Sequence, residues 1–492
     1  MTRQVIEFNN SPFVMCIIIV GLSLGFLGFY YPHGIILFSF FLVVMLVLMR
    51  PEYSYFLIIA SMSIHCFYFQ PGNDHHKSFY YVEIFVLCAM CSWIIGRLTS
   101  LRVPYPGTSC DWFFAFFYGW AMLSLFWTTD LYQGYFEIFM LFICISAFIL
   151  TVALIRNEKM LRFVFYIFIS IGILQAVLCV VSVYSTIGFR ERYVIYDQFG
   201  FYNYLWAQHD MLWLRGAIGG RGIGLAVPHT VAVFLNLPII FCVGFFMVTE
   251  SMRKRSLWLV VIIVMMAGML STMTKSALIS LWVGLTFFLV HLRPLKNWLV
   301  TCLFIILAAS IALSILVRIG DLGGSLKYTG RQLEVESGGS SVETRLAWWK
   351  RGMEKLIDTN GVGYGAGGFI KTVPYPVPDG AHPAVLFDFG ILGLFLWILI
   401  YVSSFLTFYT HLKNCNNEYY RRLLLAYLAG YITMVISWIV TLHYDRIDLF
   451  LYLGLGYALV RVSELHALDK PKLPFYTDKE TLIALPFGRQ ET

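Results

Sequence analysis

The sequence predicts an all-α protein, a polytopic transmembrane helix bundle of about 12 to 14 spans with a long periplasmic loop that contains a surface helix. Three observations predict it. Apolar residues make up 59% of the 492 and charged residues 13%, with a mean hydropathy of +0.74. That balance excludes a water-soluble globular chain of this length. Apolar runs of spanning length recur from Phe13 to Val462, and lipid offers the backbone no hydrogen-bond partners, so each run is read as a helix rather than an open strand. Finally, Lys and Arg gather in alternate connections between these runs, the pattern of a multi-pass topology.

Taken in order, the first run, Phe13 to Tyr30, is followed directly by Ile35 to Met49 without a small-residue cleavage site. It is expected to stay as a span rather than leave as a signal peptide. Every second connection then carries cations: Arg50; Arg97 and Arg102; Arg156, Lys159 and Arg162; Arg253, Lys254 and Arg255; Arg293 and Lys296; Lys413, Arg421 and Arg422. The alternate short connections hold only Lys77, Lys275 and Arg446. The positive-inside rule therefore assigns the first set, and both termini, to the cytoplasm. The formal charge of +7 resides in these clusters, which makes membrane lipids, and not nucleic acid, the expected partner. Of the ten cysteines, Cys16, Cys88, Cys91, Cys144, Cys179, Cys242 and Cys302 fall inside spans. Cys88-x-x-Cys91 reads as packing, and no disulfide framework or metal site is expected.

The organisation that follows is residues 1–184 as N-terminal transmembrane helices, 185–462 as a second membrane region with outer loops at 185–224 and 318–382, and 463–492 as a polar cytoplasmic tail with Pro471, Pro474 and Pro486. Long polar loops in an otherwise economical membrane protein are where function is expected.

The first outer loop interleaves aromatic residues such as Tyr193, Tyr196, Trp206 and Trp213 with Arg190, Arg192, Arg215 and Arg221. Rings beside guanidinium groups suit sugar faces and phosphates, and equally an interfacial aromatic belt. Arg215 and Arg221 stand out, because the glycines between and after them let the backbone approach a ligand where the chain re-enters the membrane. The second loop predicts a helix opening on the capping box Ser340-Ser-Val-Glu343, with an apolar stripe at Leu346, Trp349, Met353 and Leu356 and with Arg345, Lys350, Arg351 and Lys355 on its other faces. The run Asn360-Gly-Val-Gly-Tyr-Gly-Ala-Gly-Gly368 ends that helix and reads as a flexible turn or as a backbone nest for an anion. His382, at the outer mouth of the next span, is an interfacial anchor, a general base or a phosphate ligand; Asp388, one or two turns further in, is its hydrogen-bond partner or a second acid–base group. Lys275 occupies the short turn Thr272-Met-Thr-Lys275-Ser-Ala on the same face.

These motifs resemble the O-antigen ligase and O-antigen polymerase (Wzy) superfamily over roughly Arg215 to Leu394. Arg221-Gly-Ile-Gly-Leu-Ala-Val-Pro228-His229-Thr is similar to the family's Arg-x-x-Gly followed by Asn-Pro-Asn, with His229 in place of Asn. The Lys275 turn resembles its Ser-Arg-Gly-Ala turn. Glu343-Thr-Arg345-Leu-Ala-Trp348 with Gly361-Val-Gly-Tyr-Gly365 is similar to its Arg and Trp helix leading into Gly-x-Gly. His382-Pro383 followed by Gly390-Ile-Leu-Gly393 looks like its His-Asn and Gly-Leu-Leu-Gly, at an interval about one helical turn shorter, and Asp388 stands where a Glu is common.

The resemblance implies an enzyme of a bacterial inner membrane with a periplasmic active site. Such an enzyme moves a glycan from undecaprenyl diphosphate to an acceptor hydroxyl, on another lipid-linked glycan or on lipid A core, with no cofactor and no metal. It implies diphosphate binding by Arg215, Arg221, Lys275 and Arg345, acceptor activation by His382, and support from Asp388 and His229. The competing expectation is a lipid-linked oligosaccharide flippase, which would line a central cavity within the spans with cations.

Overall fold

The computed structural model describes residues 58, 68–69, 79–98, 105–184, 228–272, 274–292, 341–369, 380–440 and 446–468. The apolar runs from Phe13 to Met49, the loop holding Arg215 and Arg221, and the end of the tail lie outside them. Among the described residues a two-residue antiparallel pairing, Tyr68–Phe69 with Phe79–Tyr80, leads into a set of helices. These are α1 (Tyr81–Leu98), α2 (Asp111–Leu123, extended by a 3-10 turn to Phe126), α3 (Leu131–Leu154), α4 (Glu158–Tyr184), α5 (Pro228–Val248) and α6 (Met252–Ser271), followed by α7 (Lys275–His291), α8 (Ser341–Asp358), α9 (Ala381–Asn414), α10 (Glu418–Val440) and α11 (Ile447–Leu468). Six of them, α3, α4, α5, α6, α9 and α10, are long and apolar enough to cross a membrane, consistent with a multi-pass membrane protein.

Local chemistry starts these helices where the sequence changes character. The Asp130 carboxylate accepts the Gln133 amide at 3.0 Å to cap α3. Asn157 caps α4 through Met160 at 2.8 Å, and Pro228 opens α5, where a missing N–H is harmless. Packing then depends on close backbone approach, as expected where lipid removes the hydrophobic drive between helices. Gly268 of α6 lies against Ala176 of α4, and Gly284 of α7 against Ala429 and Thr433 of α10. α10 is central, in contact with α5, α7, α9 and α11.

The two ends of the bundle differ in charge. At one end Arg461 of α11 donates to Val152 O and Ile155 O, both at 3.0 Å, closing the C-terminus of α3. Arg422 of α10 donates to Met247 O at 2.6 Å, closing α5, and the Arg162 guanidinium lies 5.1 Å from the Tyr419 ring centre. Guanidinium groups at helix C-termini meet the negative end of the helix dipole and supply donors to its last carbonyls. The α3–α4, α5–α6 and α9–α10 turns thus share one end with the C-terminal half of α11. The sequence assigned these same three turns to one side of the membrane. The opposite end holds the α2–α3 turn, where Thr128 Oγ1 donates to Ala366 O at 2.8 Å, together with the residues after α8 and the start of α9 against the end of α10.

Candidate functional site

The opposite end holds the described candidate residues around the start of α9. Gly390 interrupts this helix with φ 69° and ψ −167°, a backbone region open essentially to glycine alone. The interruption is a fold-back. His382 and Tyr401 are 19 residues apart, about 28 Å along a straight helix, yet their rings stack with centres 5.5 Å apart and 19° between planes. Ala381–Phe389 is therefore a short half-helix laid back against the long half that begins at Ile391. This overturns one expectation from sequence: Asp388 is not deeper than His382. It sits at the tip beside Gly390, and His382 lies further into the bundle, because a helix that reverses direction reverses the order of depth.

Two backbone contacts hold the start of the half-helix. Gly380 has φ 128°, and a side chain there would come within 2.4 Å of Ile439 O. His382 Nδ1 lies 3.3 Å from Trp438 O, one of the last carbonyls of α10, which have no partner within their own helix. A carbonyl only accepts, so Nδ1 carries the proton in this pair. In the neutral ring the lone pair is then on Nε2.

The far end of the half-helix is held by the glycine run. Asn360, Gly361, Gly363, Gly365 and Gly367 all have positive φ, between 53° and 88°, and the turn they make fits against the break. Tyr364 N donates to Phe387 O at 2.9 Å, Gly365 N to Asp388 O at 2.8 Å, and Gly361 O accepts Ile391 N at 2.9 Å. Trp120 Nε1 donates to Phe389 O at 2.8 Å. Each of these backbone groups would otherwise be stranded by the break. Ala366 N is taken by Ser124 Oγ at 3.0 Å, Gly363 N by Thr359 Oγ1 at 3.2 Å, and Phe369 N by the Asp388 carboxylate at 3.2 Å. The run is therefore an ordered turn rather than an open anion nest, because the amides of Asn360 to Ala366 and of Gly368 donate to protein acceptors. Asp388, 2% exposed, binds this turn, and His382 binds Trp438; the two are not partners of one another.

A helix stands where the second loop predicts one, as α8, and it packs on α9. Its buried face runs through Gly352, which meets the Phe387 ring, and Leu356. Met353, expected in the stripe, is 47% exposed, because the contact is centred on the glycine one position earlier. Lys350 and Arg351 are on the exposed side of α8.

A buried polar cluster relates the remaining candidates. Asn236 Nδ2 of α5 donates to Ser280 Oγ of α7 at 3.2 Å, and Ser280 Oγ lies 2.6 Å from Ser437 Oγ of α10. All three are at most 1% exposed. Ser437 directly precedes Trp438, whose carbonyl meets His382. Lys275, first residue of α7, is five residues before Ser280, and His229, second in α5, is seven before Asn236. On the helix rise these are about 8 and 10 Å toward the same end of the bundle. The backbone thus gathers the starts of α5, α7 and α9, with His229, Lys275 and His382, around the end of α10.

Sequence reasoning missed Trp438, Tyr401 and the Asn236–Ser280–Ser437 cluster. The available signal was a polar residue inside an apolar run, as in Phe-Leu-Asn236-Leu-Pro and Val-Ile-Ser437-Trp-Ile. Compared with known proteins, the chain matches no family model and no curated sequence.

Proposed function

We propose that the chain is a membrane glycosyltransferase that moves a glycan from undecaprenyl diphosphate to an acceptor hydroxyl on the outer face of a bacterial inner membrane. One observation carries the reading: His382, with its Nε2 lone pair available in the neutral ring, lies at the bundle end where α5 and α7 begin with His229 and Lys275, opposite the end where the arginines collect. The positive-inside rule assigns the arginine-rich end to the cytoplasm and the His382 end to the periplasm.

The chemistry is a displacement at the anomeric carbon. Nε2 of His382 takes the acceptor hydroxyl proton as its oxygen bonds to that carbon, and undecaprenyl diphosphate departs with the electron pair of the broken bond. The departing diphosphate gains negative charge, which Lys275, Arg215, Arg221 and Arg345 neutralise, the work a metal ion performs in other transferases. The starts of two helices at the same end add favourable dipoles for an anion. His229 stands among these groups as support.

The test is purified protein with an undecaprenyl-diphosphate glycan and candidate acceptors, without nucleotide, scored for transfer and for released lipid diphosphate. Transfer that survives chelator and is lost in His382→Ala and Arg221→Ala is the expected result. Undiminished transfer in both variants overturns the site, and movement of the lipid across vesicles without transfer overturns the reaction in favour of a flippase.

A further inference from the structure

The half-helix Ala381–Phe389 is an unusual carrier for a reactive side chain. Glycines flank it on both sides, Gly380 with φ 128° and Gly390 with φ 69°, so neither junction is stiffened by a side chain. Its direction is set from outside. At its start the outside contact is His382 itself, on Trp438 O. At its end it is the glycine turn, which takes Phe387 O and Asp388 O through Tyr364 N and Gly365 N. The same turn is bound on its far side by Ser124 and Thr128 from the α2–α3 region.

Asp388 joins the two parts. It belongs to the half-helix, yet its carboxylate accepts the amide of Phe369 in the turn, and its own carbonyl accepts the amide of Gly365. One residue therefore grips the turn at two points four residues apart. The Phe369 ring stacks on Phe387 with centres 4.5 Å apart and 19° between planes, which closes the grip with an apolar contact. A carboxylate buried to 2% exposure is retained at a cost unless its oxygens are used, and here one of them holds the last residue of the turn.

We infer that Asp388 is a positioning residue: it locks the half-helix to the glycine turn and so sets where His382 stands, six residues and about 9 Å away. It takes no proton from substrate. This rests on the proposed role of His382 for its catalytic meaning, while the lock itself is a structural claim with its own readout.

The lock is read by amide hydrogen exchange of the full-length protein in detergent micelles, following peptides that cover 361–369 and 381–389. In Asp388→Ala both segments are expected to exchange about tenfold faster or more, as for loss of a hydrogen bond to a buried charged group. In Asp388→Asn, which keeps a side-chain oxygen for Phe369 N, both stay within about threefold of the parent protein. Thr128→Val is the milder second variant, usable where Asp388→Ala fails to fold. Its hydroxyl bonds the turn and not the half-helix, so faster exchange at 381–389 in that variant shows the turn acting on the half-helix. Unchanged exchange of 381–389 in both Asp388→Ala and Thr128→Val overturns the lock.

Transfer kinetics separate positioning from acid–base chemistry. Positioning predicts a fall in kcat at near-constant KM for the donor in Asp388→Ala, with recovery and an unaltered pH profile in Asp388→Asn. Loss in Asn equal to that in Ala, with a shifted pH profile, overturns the assignment. A parent protein that shows the exchange pattern and no transfer leaves the lock standing and removes the glycosyltransferase reading.

Discussion

Replacing Gly390 by alanine places one methyl group at the most constrained point of the site. A Cβ there would lie 2.3 Å from Gly361 O and 2.4 Å from Val362 C and O. These are backbone atoms of a hydrogen-bonded turn, in which Gly361 O accepts Ile391 N and Val362 N donates to Thr359 O, so they cannot swing aside as a flexible side chain would. The substituted residue would also need φ 69° and ψ −167°, a region that costs an L-residue about 1–3 kcal/mol. Relief requires the turn to withdraw, which breaks the Tyr364–Phe387, Gly365–Asp388 and Gly361–Ile391 bonds at about 1 kcal/mol net each. Strain and lost bonds together put the expected loss at about 4–6 kcal/mol. Gly119→Ala is the matched control, since a Cβ at Gly119 meets nothing within 4 Å and alanine is the better helix former by about 1 kcal/mol. Thermal unfolding in detergent, followed by tryptophan fluorescence with monodisperse yield as a second measure, compares the two. A Gly390→Ala protein as stable as Gly119→Ala would refute the fold-back.

Three further outcomes are expected. Asn236→Ala removes the group that joins α5 to Ser280 and Ser437 and should lower stability by about 1–3 kcal/mol; a neutral effect in the same unfolding assay would show that the cluster does not hold the three helices. Gly268→Val drives a branched side chain into Ala176, whose Cα a Cβ would already approach to 2.3 Å, so α4 and α6 must separate at a cost of about 1–3 kcal/mol; a disulfide-free cross-linking pair across the two helices should lose yield, and unchanged yield would contradict the close approach. Burial pushes the Cys110 thiol up to about 11, so at pH 8 only about a thousandth is thiolate. N-ethylmaleimide should therefore label this residue at least about a hundredfold more slowly in the folded than in the denatured protein, the rate rising with pH toward 11, and fast labelling of the folded protein at pH 8 would show the site to be open.

What could be seen from sequence was what composition and local pattern encode. The helical class follows from the apolar excess, and α8 from a capping box followed by spaced apolar residues. The shared end of the arginine-bearing turns follows from their spacing along the chain. The fold-back was not visible, since Ala384 to Ile400 contains only Asp388 and two glycines to interrupt its hydropathy, and a glycine in an apolar run is compatible with a straight helix. The partner of Asp388 was hidden for a related reason. Local pattern offers His382, six residues away, whereas the carboxylate meets a backbone amide at Phe369, and amides carry no residue-type signal. Contacts such as Ser280–Ser437, 157 residues apart, have no local trace at all. Only the placement of polar residues inside apolar runs hinted at them.

The fold-back also dictates an order of assembly. The turn that receives the half-helix is anchored to Ser124 and Thr128, 242 and 238 residues earlier in the chain than their partner Ala366, and His382 is anchored to Trp438, 56 residues later. As the ribosome delivers the chain from its N-terminus, the α2–α3 turn is in place first. The half-helix emerges with one anchor already waiting and the other not yet synthesised. Until α10 has been made, His382 can stack on Tyr401 but lacks the acceptor that fixes its Nδ1, Trp438 O. The site is therefore completed late, after the membrane framework has formed, and a chain cut before Trp438 would carry nearly every candidate residue without ever bringing them into register.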